Sequence, residues 1–284
     1  MNTQPIYKSP AGEQVVMELY ERLLGRWSVP CETLYVSTRH GQTFVVVSGD
    51  KSRPPLVLLH GAGSNSAIWA GDAAEYGRFF HIYAVDLIGE PGKSAPNRPP
   101  WESAAYAEWL EDVLNELKID KTTLVGISQG AWTALKFAVY APQRVEKLVL
   151  ISPGGIVPDK LSFLLRAIPL SLLGQWGTRR MIRMLFGSQP IPEGVEEVVM
   201  TITNNFKGRM GILPIFTDEE IGRLTMPVLL LGGDQDVMRD LAAITSRMKQ
   251  KLPHLVVNII QGGGHALLNT VQPAMKFLTA ENGY

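Results

Sequence analysis

Gly126-Ile127-Ser128-Gln129-Gly130 constrains this chain more than any other stretch. Thr123-Leu124-Val125 precedes it, β-branched at two of three positions, and reads as a strand. Ala131–Val139 follows it and reads as a helix. A strand, a very tight turn and a helix therefore meet at a serine. That context fits a nucleophile elbow, in which a strained backbone lifts the hydroxyl out of the sheet edge. A side chain at either glycine would crowd the strand or helix packed against the turn. The new helix also aims its free N–H groups at the same point. Taken alone, the pentapeptide fits equally a plain turn with Ser128 as helix N-cap. The rest of the chain decides.

Its rhythm is that of a parallel sheet. Val15, Val16, Leu19, Tyr20, Leu23 and Leu24 share one helical face over residues 11–26. Thr33–Ser37 and Thr43–Val47 predict a hairpin around Arg39-His40-Gly41-Gln42, with His40 solvated in the turn. Pro55–Leu59 and His81–Val85 read as buried strands, with a helix at roughly 66–77 between them. A helix at 103–117, the strand into the elbow, the helix at 130–140 and a strand at Lys147–Ile151 follow. From about Pro153 to Arg223 there are helical patterns but no strand. Strand and helix then resume at Pro227–Gly233, about 239–251, Leu255–Ile260 and 267–280. Alternation of this kind implies an α/β fold, a mostly parallel sheet with helices on both faces. Residues 1–152 and 224–284 form its core, and 153–223 is an insertion between two strands.

Composition narrows the function classes. The formal net charge of zero gives no reason to expect nucleic acid or an anionic membrane as partner. Cys31 is the one cysteine, so no internal disulfide forms, which suits a reducing compartment. Met1-Asn2-Thr3-Gln4-Pro5 opens no signal peptide, and no apolar run is long enough to span a bilayer. A soluble cytoplasmic protein is the expectation.

A serine hydroxyl becomes a nucleophile at neutral pH only with a base, and the base needs an orienting acceptor. Of His40, His60, His81, His254 and His265, only His60 and His265 follow a strand, on the edge that carries Ser128. His60 fits a structural loop residue that bonds backbone. His265, in Gln261-Gly262-Gly263-Gly264-His265, is therefore the candidate base. The acid should also follow a strand. Asp236 does so in Gly233-Asp234-Gln235-Asp236, with Asp234 a close competitor. An oxyanion formed by attack on a carbonyl needs fixed donors. The backbone N–H of Gln129 supplies one, and that of Ala62, in His60-Gly61-Ala62-Gly63, supplies the other.

With these residues in place, the chain resembles an α/β-hydrolase of the lidded carboxylesterase type, from the hairpin near residue 33 to the final helix. The resemblance implies Asp236 rather than Asp234, three residues after the glycine of Gly-x-x-Asp. It implies that 153–223 is a cap over the site. It implies hydrolysis of small to medium apolar carboxylic esters through an acyl-enzyme, with no cofactor and no metal. Carbon–carbon bond hydrolases, lactonases and perhydrolases share such a triad, as do slow ligand-binding proteins that signal through a partner. Relatives often carry D-x-x-G-x-G-x-S after the fourth strand. Here Asp86-Leu87-Ile88-Gly89-Glu90-Pro91-Gly92-Lys93-Ser94 is one residue longer.

Two look-alike motifs fail. Gly89–Ser94 lacks the first glycine of a phosphate loop, since Leu87 stands there, and Pro96, Pro99 and Pro100 prevent the helix that must follow. Gly262-Gly263-Gly264 lies after the last strand rather than opening a first βα unit. Trp69 and Trp132 fit either core or pocket wall. Arg166, Arg179, Arg180, Arg183 and Arg209 make the insertion locally basic, which reads as a solvated face.

Overall fold

The computed structural model describes residues 5–209 and 211–280. Residues 1–4, over which the sequence predicts no leader, lie outside them. Eight strands form one sheet: β1 (Cys31–Thr38), β2 (Gly41–Ser48), β3 (Pro55–Leu59), β4 (His81–Val85), β5 (Thr122–Ile127), β6 (Val145–Ile151), β7 (Val228–Gly233) and β8 (Val256–Ile260). Their order is β1-β2-β4-β3-β5-β6-β7-β8. The hairpin β1–β2 is antiparallel and joins the rest through antiparallel pairing of β2 with β4. From β4 to β8 all neighbours are parallel. This is the α/β architecture that the alternation predicts.

Burial follows from the strand period of two, because helices cover both faces. Val57 and Leu59 of β3 face Trp109 and Leu110 of α3 (Ala105–Glu116) and Phe137 of α4 (Gln129–Tyr140). Leu56 and Leu58 face the other way, toward Tyr20 of α1 (Pro10–Leu24), Tyr76 of α2 (Ala73–Gly77) and Phe277 of α10 (Val271–Thr279). Each fully buried leucine or valine contributes about 1.5–3 kcal/mol relative to exposure. Trp69 and Trp132 are both buried in these cores.

Two local expectations give way. The helix predicted over 66–77 is a 3-10 turn at Ser66–Trp69 followed by the short α2. The Asn65 side chain caps the first turn by accepting from the Ala67 N–H, and Gly71 separates that turn from α2. A glycine weakens a continuous helix by about 1 kcal/mol, while burial of Trp69 holds the tight turn in place. His40 is not solvated either. Its Nε2 is covered and lies 3.9 Å from a Glu108 carboxylate oxygen.

Between β6 and β7 the chain forms α5 (Leu161–Ser171), α6 (Gly174–Phe186), α7 (Val195–Asn205) and α8 (Asp218–Ile221). This insertion is fastened to the C-terminal edge of the sheet. Ser188 N–H donates to the Gly262 carbonyl at 2.9 Å, and Ala266 N–H to the Leu185 carbonyl at 2.9 Å. Lys160 N–H donates to the Met238 carbonyl at 2.9 Å, and Arg239 pairs with Asp159. α7 is also stitched to the segment ahead of α1. Lys8 N–H donates to the Asn205 carbonyl and Lys207 N–H to the Ile6 carbonyl, both at 2.8 Å. The apolar face of α1 thus rests partly on the sheet and partly on the insertion. The remaining helix, α9 (Leu241–Lys251), packs beside β7.

Candidate active site

Four loops at the C-terminal ends of β3, β4, β5 and β7, and a fifth after β8, converge on one edge. The turn after β5 places Ser128 at φ +51 and ψ −106, a left-handed conformation that a non-glycine residue adopts at a cost of about 1–3 kcal/mol. Backbone fixes it there. Ser128 N–H donates to the Ile151 carbonyl at 2.8 Å, and its own carbonyl accepts from Trp132 N–H at 3.0 Å. A Cβ at Gly126 would strike the backbone of Gly130 and Ala131, and one at Gly130 would strike the carbonyls of Leu59 and His60. Only glycine permits so close a crossing of strand, helix and neighbouring strand.

His265 and Asp236 come to this serine. His265 Nε2 lies 3.0 Å from Ser128 Oγ, and its Nδ1 lies 2.9 Å from Asp236 Oδ2. A neutral imidazole with its proton on Nδ1 satisfies both bonds. Asp236 Oδ1 accepts two backbone N–H groups, from Met238 at 2.7 Å and Arg239 at 2.9 Å. Burial pushes the Asp236 carboxyl upward. The hydrogen bond and charge of His265 and these two N–H donors outweigh it, so the group stays below the usual carboxylate range. Asp234 is exposed and bonds its N–H to the Ile260 carbonyl. The Ser152 hydroxyl, at the end of β6, donates to the His265 carbonyl at 3.0 Å and steadies that loop. The sequence reading did not single out Ser152.

Gln129 follows the serine in the chain, and Gly61, the neighbour of Ala62, packs against it, since a Cβ on Gly61 would lie 3.7 Å from the Ser128 Cβ. Among the described residues neither the Gln129 nor the Ala62 backbone N–H has an intramolecular acceptor, as expected for the first N–H of a helix and for an open loop. His60 is fully buried and structural: its Nδ1–H donates to the Gly61 carbonyl at 2.8 Å and its Nε2 accepts from Leu87 N–H at 2.9 Å. Burial holds its imidazole below the ordinary value, consistent with that neutral tautomer.

Glu90 is the residue sequence reasoning missed. It is only 2% exposed. One carboxylate oxygen accepts from Gly63 N–H at 2.7 Å, and the other from the Gln129 side-chain amide at 3.1 Å. It therefore bridges the loop of Ala62 to the residue that opens α4. Burial raises its carboxyl above the usual range, against those two bonds and the charges of Arg98 and Arg209. The sequence did carry a signal, an acid in a post-β4 loop one residue longer than the family pattern.

A cavity of about 780 Å³ opens beside Ala62, Gly63 and Ala266. Val16, Leu19 and Leu23 of α1 form one wall, and Val195, Val199 and Ile202 of α7 the other. Arg22 and Glu197 pair across these helices at 2.5 Å, in the open, where an ion pair contributes about 0–1 kcal/mol. No group of metal-ligating side chains occurs among the described residues.

The sheet order, the elbow and the helical insertion define an enzyme of the α/β-hydrolase type. The chain belongs to the alpha/beta hydrolase family, whose model matches residues 56–275. It is 32% identical over 281 residues to the uncharacterized carboxylesterase nap of Bacillus subtilis, covering 94% of this chain and 93% of that one. The crystal structure of carboxylesterase CesB (YbfK) from Bacillus subtilis superposes with a TM-score of 0.85 at 28% identity, over 95% of this chain and 99% of that one. Naproxen esterase (carboxylesterase NP) from the same organism superposes with a TM-score of 0.83 at 29% identity, over 95% and 96% of the two chains.

Proposed function

We propose that the protein is a serine carboxylesterase with Ser128 as nucleophile, His265 as general base and Asp236 as its orienting acid. The observation that carries this reading is the hydrogen-bonded series Ser128 Oγ, His265, Asp236, at 3.0 and 2.9 Å; Ala266, the residue after His265, and Ala62 line the mostly apolar cavity. His265 Nε2 takes the Ser128 proton as Oγ attacks the ester carbonyl. The oxyanion accepts the N–H groups of Ala62 and Gln129, each worth roughly 3–4 kcal/mol of barrier. His265 then gives its proton to the leaving alcohol, and an acyl-serine remains. Water deprotonated by His265 attacks that ester, and collapse releases the acid and restores Ser128.

Residues 153–223 act as the cap of this site. α7 walls the cavity from the cap side and α1 from the other. A cavity near 780 Å³ with valine and leucine walls suits a small to medium apolar acyl or alcohol group. The chemistry needs no cofactor. A single exposed cysteine fits a reducing cytoplasm, and no described helix is long and apolar enough to cross a membrane.

Steady-state hydrolysis of p-nitrophenyl esters from acetate to dodecanoate tests the reading. Multiple turnovers with an optimum at short or medium chains are expected. Absence of turnover on every ester would contradict it and favour carbon–carbon bond, lactone or signalling chemistry on the same residues.

A further inference from the structure

α5 is apolar on two sides, and only one of them is covered. Phe163, Ala167 and Leu170 share one side of the helix and are half-buried, and α5 packs on α6. Leu161, Leu165, Ile168 and Leu172 recur at helical spacing on the opposite side, within one narrow stripe. That stripe faces solvent: Leu165 is 66% exposed and Leu172 is 81% exposed. The turn continues it through Leu173 to Trp176 at the start of α6, also 62% exposed. None of the described α5 side chains is buried. An apolar side of a helix normally lies against something, and a contiguous exposed apolar patch marks an interaction surface.

Charge indicates what covers it. Residues 161–192 contain Arg166, Arg179, Arg180 and Arg183 and no aspartate or glutamate. Arg179 is tied to Glu196 of α7, and Arg183 turns inward to the carbonyls of Gly187 and Gln189. Arg166 and Arg180 are exposed and, among the described residues, have no acidic partner. Exposed leucines, an exposed tryptophan and free arginines without any acid are the composition of an interfacial helix on anionic lipid. A two-fold related copy of the chain would instead bring the same acid-free, arginine-bearing face against itself. The zero net charge of the whole chain hides this local asymmetry, and with it the expectation of no membrane partner loses its ground.

We propose that the α5–α6 face docks on an anionic lipid surface, with the Leu161–Leu172 stripe and Trp176 in the interface and Arg166 and Arg180 against the headgroups. The insertion would then meet membrane-dissolved apolar molecules directly. Docking is peripheral and salt-sensitive, because part of it is screened charge.

The test is co-sedimentation of the full chain with vesicles of phosphatidylcholine alone or with about 30% phosphatidylglycerol, at about 0.05 and 0.5 M salt. Binding to the anionic vesicles at low salt is expected, at least about tenfold above phosphatidylcholine alone and largely lost at high salt. Leu165→Glu with Leu172→Glu, and separately Arg166→Glu with Arg180→Glu, should each lower partitioning at least about tenfold. These positions are exposed, and unchanged circular dichroism melting shows that each variant folds. On the same vesicles Trp176→Phe should lose part of the blue shift in tryptophan emission. No binding, or binding that neither double variant weakens, overturns the proposal. So does a wild-type dimer in light scattering that Leu165→Glu with Leu172→Glu turns into a monomer, which would make a second copy the occupant. Vesicle binding is read without substrate, so its failure leaves the esterase reading standing.

Discussion

Glu90 ties the loop of Ala62 to Gln129 through two hydrogen bonds, and a buried carboxylate in that place has measurable consequences. Glu90→Ala leaves the buried Gln129 amide unpaired, at about 1–3 kcal/mol, and frees the half-buried Gly63 N–H to water at less cost. The variant should melt earlier. Its kcat should fall roughly tenfold or more while KM changes less, since both loosened groups adjoin the oxyanion donors and only Gly63 also lines the cavity. Equal loss in KM and kcat would contradict this placement. The sign of the pH effect is also fixed. The fold holds the Glu90 carboxyl above its ordinary 4.5. In that range the native chain keeps a proton the unfolded chain has released, so the group's contribution to stability falls as pH rises through the folded value. The stability of the wild type relative to Glu90→Gln should therefore be greater at pH 5 than at pH 8 in urea denaturation, and an unchanged difference would refute the shift. At this scale position after a strand of one parallel sheet pointed to Ser128, to His265 and to either Asp234 or Asp236, and the family resemblance chose Asp236. The longer loop after β4 marked the place of Glu90 but not its role, because its two donors, Gly63 and Gln129, lie 27 and 39 residues away in sequence.

α1 and α7 are the elements that shape the cavity. Neither faces Ser128 by sequence logic, and α1 reads only as a helix lying on the domain body. Their meeting depends on Tyr7 and Phe206, which bridge the two segments edge to face, a pairing 199 residues apart that no local pattern announces. Val199 stands on α7 in the cavity wall. Val199→Trp fills space that a long acyl or alcohol chain would occupy. It should raise KM for p-nitrophenyl octanoate about tenfold or more and leave the acetate ester within about twofold. A uniform effect on both esters would place the chain-binding pocket elsewhere. The elements that the sequence misplaced fail for local reasons. The 66–77 helix breaks at Gly71 under the pull of Trp69 into the core. The hairpin, the buried strands and the helices after them sit within a few residues of their predicted bounds, because continuous apolar runs and 3.6-residue spacing have one packing solution between two helical layers.

For the whole molecule, strand order decides what chemistry is possible. Parallel pairing from β4 to β8 gathers the ends of six strands on one edge, and the insertion after β6 is bonded back to the loops of Asp236 and His265. An insertion fastened at both loops, the proposed cap, can transmit its position to the proposed base and acid. Within it, α5 packs chiefly on α6 and is free to meet another surface. All of the proposed chemistry starts at Ser128. Intact-mass and peptide mass spectrometry after treatment with a fluorophosphonate tests it most directly, with wild type beside Ser128→Ala. A single adduct on the peptide that holds Ser128, absent from a folded Ser128→Ala, is the predicted result. An unlabelled wild type, or equal labelling of both proteins, would contradict the assignment of Ser128 as nucleophile.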